Sequence, residues 1–135
     1  MKIKKTLIFF ILILSINFIK AQKLKYLYDY GYEATWNFTD RNKSIEKLTF
    51  KNVEIFVDSE MQNYIISYAT LDNKKQSKKF SKNIDKHFRF VTDSEGIEYS
   101  IHGPKDEDPN IYFMRKINDD ISFLLIFTDK FRNKY

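Results

Sequence analysis

The stretch KYLYDYGYEATWNF, Lys25–Phe38, decides the fold because large aromatic side chains recur at every second position. The even positions hold Tyr26, Tyr28, Tyr30, Tyr32, Ala34, Trp36 and Phe38. A period of two places alternate side chains on one face of an extended strand, whereas a helix needs a period near 3.6. The pattern predicts a β-strand with one aromatic face. We expect a bend or break near Gly31, because a straight strand of about fifteen residues would run about 50 Å.

The segment that follows also alternates, but it changes phase. Leu48 and Phe50 occupy even positions, whereas Val53 and Ile55 occupy odd ones. Because a shift of one residue turns every side chain to the other face, this change predicts a bulge or a tight hairpin at Lys51–Asn52.

Two hairpins are predicted in the second half of the chain. The first joins residues 88–90 to 97–101 through DSEG, where Gly96 can adopt the positive φ that such turns need. The second joins Ile111–Ile117 to Ile121–Thr128. The last of these segments, ISFLLIF, is apolar at odd and even positions, so it should be central or covered on both faces. The Lys-rich segment Gln76–Ser81 suits the edge of a sheet.

Seven or eight sequential strands joined by short turns predict an all-β fold, an antiparallel meander forming a small barrel or a cupped sheet. A β-sandwich and an α+β roll are the alternatives. The stretch ATWNFT, with the only Trp of the chain on an early strand, resembles that of small secreted lipocalin-like β-barrel proteins. Those proteins usually carry Gly two residues before the Trp, where this chain has Ala34. The resemblance implies a barrel.

Residues 1–21 have the layout of a cleaved secretory signal peptide. Lysines at positions 2, 4 and 5 precede the apolar run LIFFILILSI, and we place the cleavage after Ala21. An uncut anchor is the alternative, but the run Leu7–Ile19 is shorter than the roughly 20 apolar residues of a spanning helix. We therefore expect one β domain, residues 22–135, that is exported to the periplasm or the cell exterior without a stable membrane anchor.

Removal of this segment changes the charge of the protein. The full chain has a formal net charge of +5, but four of its lysines lie within residues 1–21, together with no acidic residue, so the remainder carries +1. Nucleic-acid binding depends on neutralising many phosphates, and we therefore exclude it as a function. The chain contains no Cys, so no disulfide can reinforce the domain.

The sequence offers few candidates for catalysis or metal binding. It has no Gly-x-Ser-x-Gly motif and two histidines, His87 and His102, which flank the first hairpin. Either they form a metal site with a carboxylate, or both face solvent. Asp106, Asp108 and Asn110 begin like a calcium loop, but Ile stands where that loop needs Gly. We predict that the protein is not an enzyme and holds no cofactor.

The tyrosines are the best candidates for contact with a ligand or a partner. A tyrosine ring buries apolar area while its hydroxyl needs a hydrogen-bond partner, which suits the wall of a cavity, a groove or an interface. The candidate contact residues are Tyr26, Tyr28, Tyr30, Tyr32 and Trp36. The alternative places Trp36 and Phe38 in the core, with the tyrosines covering the rim of the sheet.

The predicted function is therefore non-catalytic binding of a small apolar or aromatic ligand by a monomer. The alternative is a protein-binding module, such as an inhibitor or an envelope accessory, and a hydrolase with an unmarked carboxylate pair is a third candidate. A ligand carrier should enclose a cavity, whereas a partner module should have a filled interior and an exposed aromatic patch.

Overall fold

The computed structural model describes residues 22–58, 63–83 and 89–132. Its strands are β1 (Gln22–Asn37), β2 (Ile45–Asp58), β3 (Asn63–Ala69), β4 (Lys75–Lys82), β5 (Phe90–Asp93), β6 (Glu98–His102), β7 (Ile111–Lys116) and β8 (Ile121–Thr128). A single turn of 3-10 helix, Arg41–Lys43, lies between β1 and β2. The predicted signal segment, residues 1–21, and His87 lie outside the described residues.

The eight strands form a closed antiparallel barrel in sequence order. Each strand pairs with the next, and β8 returns to β1, where Tyr30–Asn37 pairs with Ile121–Thr128. This closure confirms the predicted all-β meander and selects the barrel over the sandwich and the α+β roll. Both predicted hairpins are present, as β5–β6 and β7–β8. Gly96 in the first turn has a φ of +83°.

The interior of the barrel is filled by large side chains that come from all eight strands. The rings of Phe80 and Phe113 lie 4.8 Å apart across the barrel, and Phe113 meets Phe127 at 5.9 Å. Phe80, Phe113 and Phe127 are each at most 1% exposed. Close packing of this kind is the main source of stability in a domain that has no disulfide.

The prediction of one aromatic face on β1 was wrong. Tyr28 pairs with Val53 and Gly31 with Phe50, and all four positions face the interior. Regular alternation would place Tyr28 and Gly31 on opposite faces, but both face inward. The strand therefore reverses its two faces between Tyr28 and Gly31 while it remains continuous. The irregularity expected near Gly31 is present as a register shift at Gly31–Tyr32. As a result Tyr26 and Tyr28 face inward, whereas the later even positions face outward.

The same reversal of faces occurs in β2, at the predicted bulge. Asn52 adopts a positive φ of 50°, and the pairing of β2 with β3 shifts between Lys51 and Glu54. Val53 and Phe50 consequently both face the interior although their numbers differ in parity. Asn is one of the few residues that tolerates this left-handed conformation.

A second apolar cluster lies on the outer face of the barrel. Its buried members are Tyr32, Ala34, Leu124 and Ile126. Leu125 and Phe127 of the same strand face the interior, so β8 is covered on both sides, as its composition predicted. The chain after β8 turns back over this face, where the ring of Phe131 packs edge-on against Tyr30 at 5.5 Å.

The first half of β4 is an edge. Only Phe80–Lys82 pairs with β5, so the backbone of residues 75–79 has β3 as its only strand partner among the described residues. All five of these residues are exposed, and three are lysines. This confirms the predicted position of the Lys-rich strand.

No helix among the described residues is long and apolar enough to cross a membrane.

Candidate functional site

A cleft of about 400 Å³ opens on the outer side of the barrel, at the end where β1 leads into β2. Its lining combines two aromatic rings, two guanidinium groups, one carboxylate and two small polar side chains. The lining residues are Trp36, Asn37, Phe38, Arg41, Ser44, Glu46 and Arg132. Ligand sites in proteins typically have volumes of this order, but their linings are mostly apolar, whereas five of the seven residues that line this cleft are polar or charged.

The connection between β1 and β2 is held in place by hydrogen bonds that fix the rim of the cleft. The amide of Phe38 donates to the carbonyl oxygen of Asp120 at 2.8 Å, which ties the connection to the β7–β8 turn. The amide of Asn37 donates to Ser44 Oγ at 2.8 Å, and Asp40 caps the 3-10 helix. The rings of Trp36 and Phe38 consequently stand almost perpendicular, at 87°, with 6.5 Å between their centroids.

Glu46 forms the polar floor of the cleft. Its Oε1 accepts hydrogen bonds from Trp36 Nε1 at 3.2 Å and from Arg132 Nη1 at 2.7 Å. The side chain of Glu46 is only 9% exposed. Its second oxygen, Oε2, is buried and has no hydrogen-bond partner among the residues that the structure describes. One carboxylate oxygen is therefore hydrogen-bonded, whereas the other is enclosed by the protein.

Arg132 connects the cleft to the outer apolar cluster. Its amide donates to the hydroxyl oxygen of Tyr32 at 2.7 Å, and its side chain reaches Glu46. Burial opposes the charge of Arg132, but the hydrogen bond and the charge of Glu46 outweigh it and raise the pKa of the guanidinium. The raised pKa keeps the Arg132 guanidinium charged beside Glu46.

Tyr112 packs beside the cleft and supports the Trp36 ring from the other side. The two rings lie 6.1 Å apart, and the Tyr112 hydroxyl donates to Asp108 Oδ2 at 2.6 Å. Burial, followed by the hydrogen bond to Asp108, raises the pKa of Tyr112. This network holds Trp36 in position without using the unsatisfied oxygen of Glu46.

Of the five contact residues predicted from sequence, Trp36 alone lines this cleft. Tyr26 and Tyr28 belong to the barrel interior, and the Tyr28 hydroxyl donates to the carbonyl oxygen of Pro109 at 2.6 Å. Tyr30 and Tyr32 lie in the outer cluster. The alternative placement of Phe38 in the core was wrong, because its side chain is 59% exposed at the rim.

Sequence reasoning missed the polar half of the site. In the sequence, Glu46 lies ten residues from Trp36 and 86 residues from Arg132. No local motif links Glu46 to Arg132. Pairing between β1 and β2 brings Glu46 opposite Ala34, which places it beside Trp36 on the outer face. An exact strand register would have been needed to predict this neighbourhood.

The residues considered for metal binding take other positions. His102 Nε2 lies 2.9 Å from Ser100 Oγ, and burial, then the charges of Arg89 and Lys105, lower its pKa. Asp108 accepts from the amide of Asn110 and from Tyr112, so it stabilises a turn. Within the described ranges, no three His, Asp or Glu side chains are grouped as metal ligands.

A second cleft, of about 540 Å³, lies against β2, β3 and β4. Its lining is mostly polar and includes Glu54, Ser67 and Gln76, with Tyr68 as the one aromatic ring. The Tyr68 hydroxyl is already bonded to Gln76 at 3.1 Å. This cleft therefore offers one aromatic ring, whereas the Trp36 cleft offers two.

Fold and site together define a small eight-stranded antiparallel β-barrel with a filled interior and an aromatic cleft on its outer side. No model of a protein family, no curated protein and no solved structure matches the chain. Its function therefore has to be argued from its own residues.

Proposed function

We propose that this protein is a non-catalytic binding protein that holds a small apolar or aromatic ligand against Trp36 and Phe38. The observation that carries the proposal is the cleft itself, which is lined by two perpendicular rings and by a largely buried carboxylate. Rings in this arrangement favour a third ring packed edge-to-face or offset against them.

The filled interior does not meet the expectation that a ligand carrier encloses a cavity, and by that criterion it favours the protein-binding module. A ligand site would therefore have to lie outside the barrel. Phe80, Phe113 and Phe127 occupy the volume that a ligand would need in a carrier with a central cavity. Opening such a volume would cost the packing of several rings, at about 3–5 kcal/mol for each large side chain displaced. The outer cleft requires no such rearrangement. Direct ligand contact by the four tyrosines of β1, Tyr26, Tyr28, Tyr30 and Tyr32, stays a prediction.

We also propose that the protein works after export, as the layout of residues 1–21 indicates. Sequencing the N-terminus of the protein isolated from the exported fraction tests this proposal. A mature chain that begins at Gln22 is expected, whereas a chain that retains Met1 in that fraction would contradict it.

Fluorescence of Trp36 tests the binding proposal, because it is the only Trp in the chain and lines the cleft. Titration with 4-ethylanisole should change the Trp36 emission saturably. Phe38→Ala should weaken this binding several-fold, because it removes one wall of the cleft. Phe131→Ala is the matched control, since both phenylalanines are 59% exposed but Phe131 does not line the cleft. Equal binding by the two variants would contradict the proposed site.

A protein partner is the second candidate, favoured by three exposed apolar side chains at the cleft end of the barrel. Phe38, Ile45 and Ile117 are each more than half exposed and lie in or beside the β1–β2 and β7–β8 connections. A native mass spectrum of the protein purified from its own host separates the candidates. A retained small molecule supports the ligand proposal, and a stoichiometric polypeptide supports the partner.

A further inference from the structure

We infer that the ligand of the Trp36 cleft is an aromatic acid, whose ring lies against Trp36 and Phe38 while its carboxylate binds the guanidinium group of Arg41. This inference rests on the proposed binding function and adds the chemical class of the ligand. It depends on three features of the described residues: the charge of the lining, the hydrogen-bond donors that the lining offers and the position of the rings beside them.

The lining of the cleft carries one positive charge that no carboxylate of the lining balances. Its charged residues are two cations, Arg41 and Arg132, and one anion, Glu46, so the formal net charge is +1. Arg132 and Glu46 cancel each other in an ion pair of 2.7 Å, which leaves the charge of Arg41. Such a lining attracts an anion and repels a cation.

The guanidinium group of Arg41 is open to a ligand. Arg41 is exposed and begins the 3-10 helix, and in the part of the chain that the structure describes its side chain makes no hydrogen bond or ion pair. Its acidic neighbour Asp40 does not line the cleft and accepts a hydrogen bond from the amide of Asn42 at 3.1 Å. A guanidinium group presents its donors as a planar fork that matches the two oxygens of a carboxylate.

The uncharged polar side chains of the lining also offer donors. Asn37 Oδ1 accepts from the amides of Thr39 at 3.1 Å and Asp40 at 2.9 Å, so the NH2 group of Asn37 is the part left to bind a ligand. Ser44 Oγ accepts from the amide of Asn37 at 2.8 Å, and its own proton donates only weakly to the Asn37 carbonyl oxygen, at 3.5 Å. Glu46 Oε1 already has two donors, and Oε2 is enclosed. Side chains that donate suit a carboxylate, because an ionised carboxylate only accepts.

The rings favour an aromatic group as the other part of the ligand. Trp36 and Phe38 stand at 87° to each other, so a flat ring can stack on one while it meets the edge of the other. Asn37 lies between them in the chain and Arg41 follows Phe38 by three residues, so the rings and the donors border the same cleft. A benzoate, whose carboxylate is attached directly to its ring, presents both parts to this cleft at once.

Three ligands that share a ring and differ in charge test the inference. The probes are the anion 4-ethylbenzoate, its neutral methyl ester and the cation 4-ethylbenzylamine, each titrated at pH 7 by Trp36 fluorescence and calorimetry. The benzoate should bind about three- to tenfold more tightly than the ester, a modest factor because Arg41 is exposed. This preference should shrink at about 0.5 M NaCl, since salt screens exposed charges. The amine should bind most weakly of the three.

Substitution of Arg41→Gln should abolish this preference. The variant removes the charge but keeps a polar side chain at the start of the 3-10 helix, so the affinity for the benzoate should fall to that for the ester. Lys43→Gln is the matched control, because Lys43 belongs to the same 3-10 helix, is also exposed and does not line the cleft. Equal losses in the two variants would mean that net charge, and not Arg41, attracts the anion, which would contradict the inference.

The outcomes separate the inference from the function on which it rests. If the benzoate and the ester bind wild-type protein equally, or if the amine binds most tightly, the ligand class is wrong while aromatic binding stands. If none of the three probes changes the emission of Trp36 or produces heat, the binding function itself is wrong. The wild-type series does not depend on whether either variant folds.

Discussion

Gly31 lies inward between two phenyl rings, where the strand has room for a hydrogen atom only. A Cβ added there would lie 2.8 Å from Phe50 Cδ2 and 3.1 Å from Phe127 Cδ1. Gly31→Ala should therefore lower the free energy of unfolding by about 1–3 kcal/mol, as overpacking does. Urea denaturation of the two proteins measures the difference.

A second substitution distinguishes this steric clash from a general loss of strand stability. Phe50→Ala removes the ring carbon that would lie 2.8 Å from the added Cβ but keeps the Phe50 Cβ at 2.9 Å, so the double variant should lose somewhat less than the two single variants together. Strictly additive losses would mean that the ring of Phe50 does not limit the site.

Tyr28 predicts how stability depends on alkaline pH. Burial, followed by the charge of Asp129, raises its pKa from 10.0 to about 12. The folded protein therefore holds this proton where the unfolded chain has lost it, so stability is complete below pH 10 and falls as the pH rises towards 12. Tyr28→Phe should flatten this fall in thermal denaturation measured between pH 9 and pH 12. An unchanged slope would contradict the assigned burial.

At the scale of elements, the chain after β8 acts as a strap over the outer cluster. Its Arg132 pairs with a Glu46 side chain that is only 9% exposed. Deletion of residues 131–135 should cost about 3 kcal/mol or more, because it leaves a buried charge without its partner. Phe131→Ala is the control and should cost less, because it removes the contact with Tyr30 but keeps the ion pair. Chemical denaturation compares the two, and equal losses would show that Arg132 is not the stabilising residue.

The edge of β4 is protected by its lysines. Residues 75–79 have β3 as their only strand partner in the described part of the barrel, and their side chains are exposed. Lys75→Val with Lys79→Val should increase aggregation on refolding, because charge discourages pairing between free edges. Lys51→Val is the control, since Lys51 pairs with both β1 and β3. Light scattering measures the effect, and similar scattering by both variants would contradict it.

The elements could be predicted from the sequence where local residues determine them. The apolar run of β8 predicted coverage on both faces, and Gly96 predicted the first hairpin turn, because both signals are local. The aromatic row of β1 was misassigned to one face. The reversal of faces between Tyr28 and Gly31 lies beside a similar reversal at Asn52 on β2. No sequence pattern within β1 indicates that these two sites are paired.

At the scale of the whole molecule, the meander of short strands was enough to predict a barrel, but its contents were not predictable. The aromatic residues divide between a filled interior and an outer cluster, and this division follows from register and closure. Trp36 was predicted as a contact residue from its type and position. Glu46, which bonds to Trp36 from the neighbouring strand, and Arg132, which reaches Glu46 from 86 residues away, needed the closed structure.

The central claim is that this barrel binds an aromatic ligand on its outer side, at Trp36, and not in its interior. The most direct measurement is the set of amide and indole chemical-shift changes when 4-ethylanisole is added to the isotope-labelled protein. We predict that the changes concentrate at Trp36 Nε1–H, Phe38, Ser44 and Arg132. Changes centred instead on Ile66, Val91 and Phe113, which face the interior, would contradict the claim.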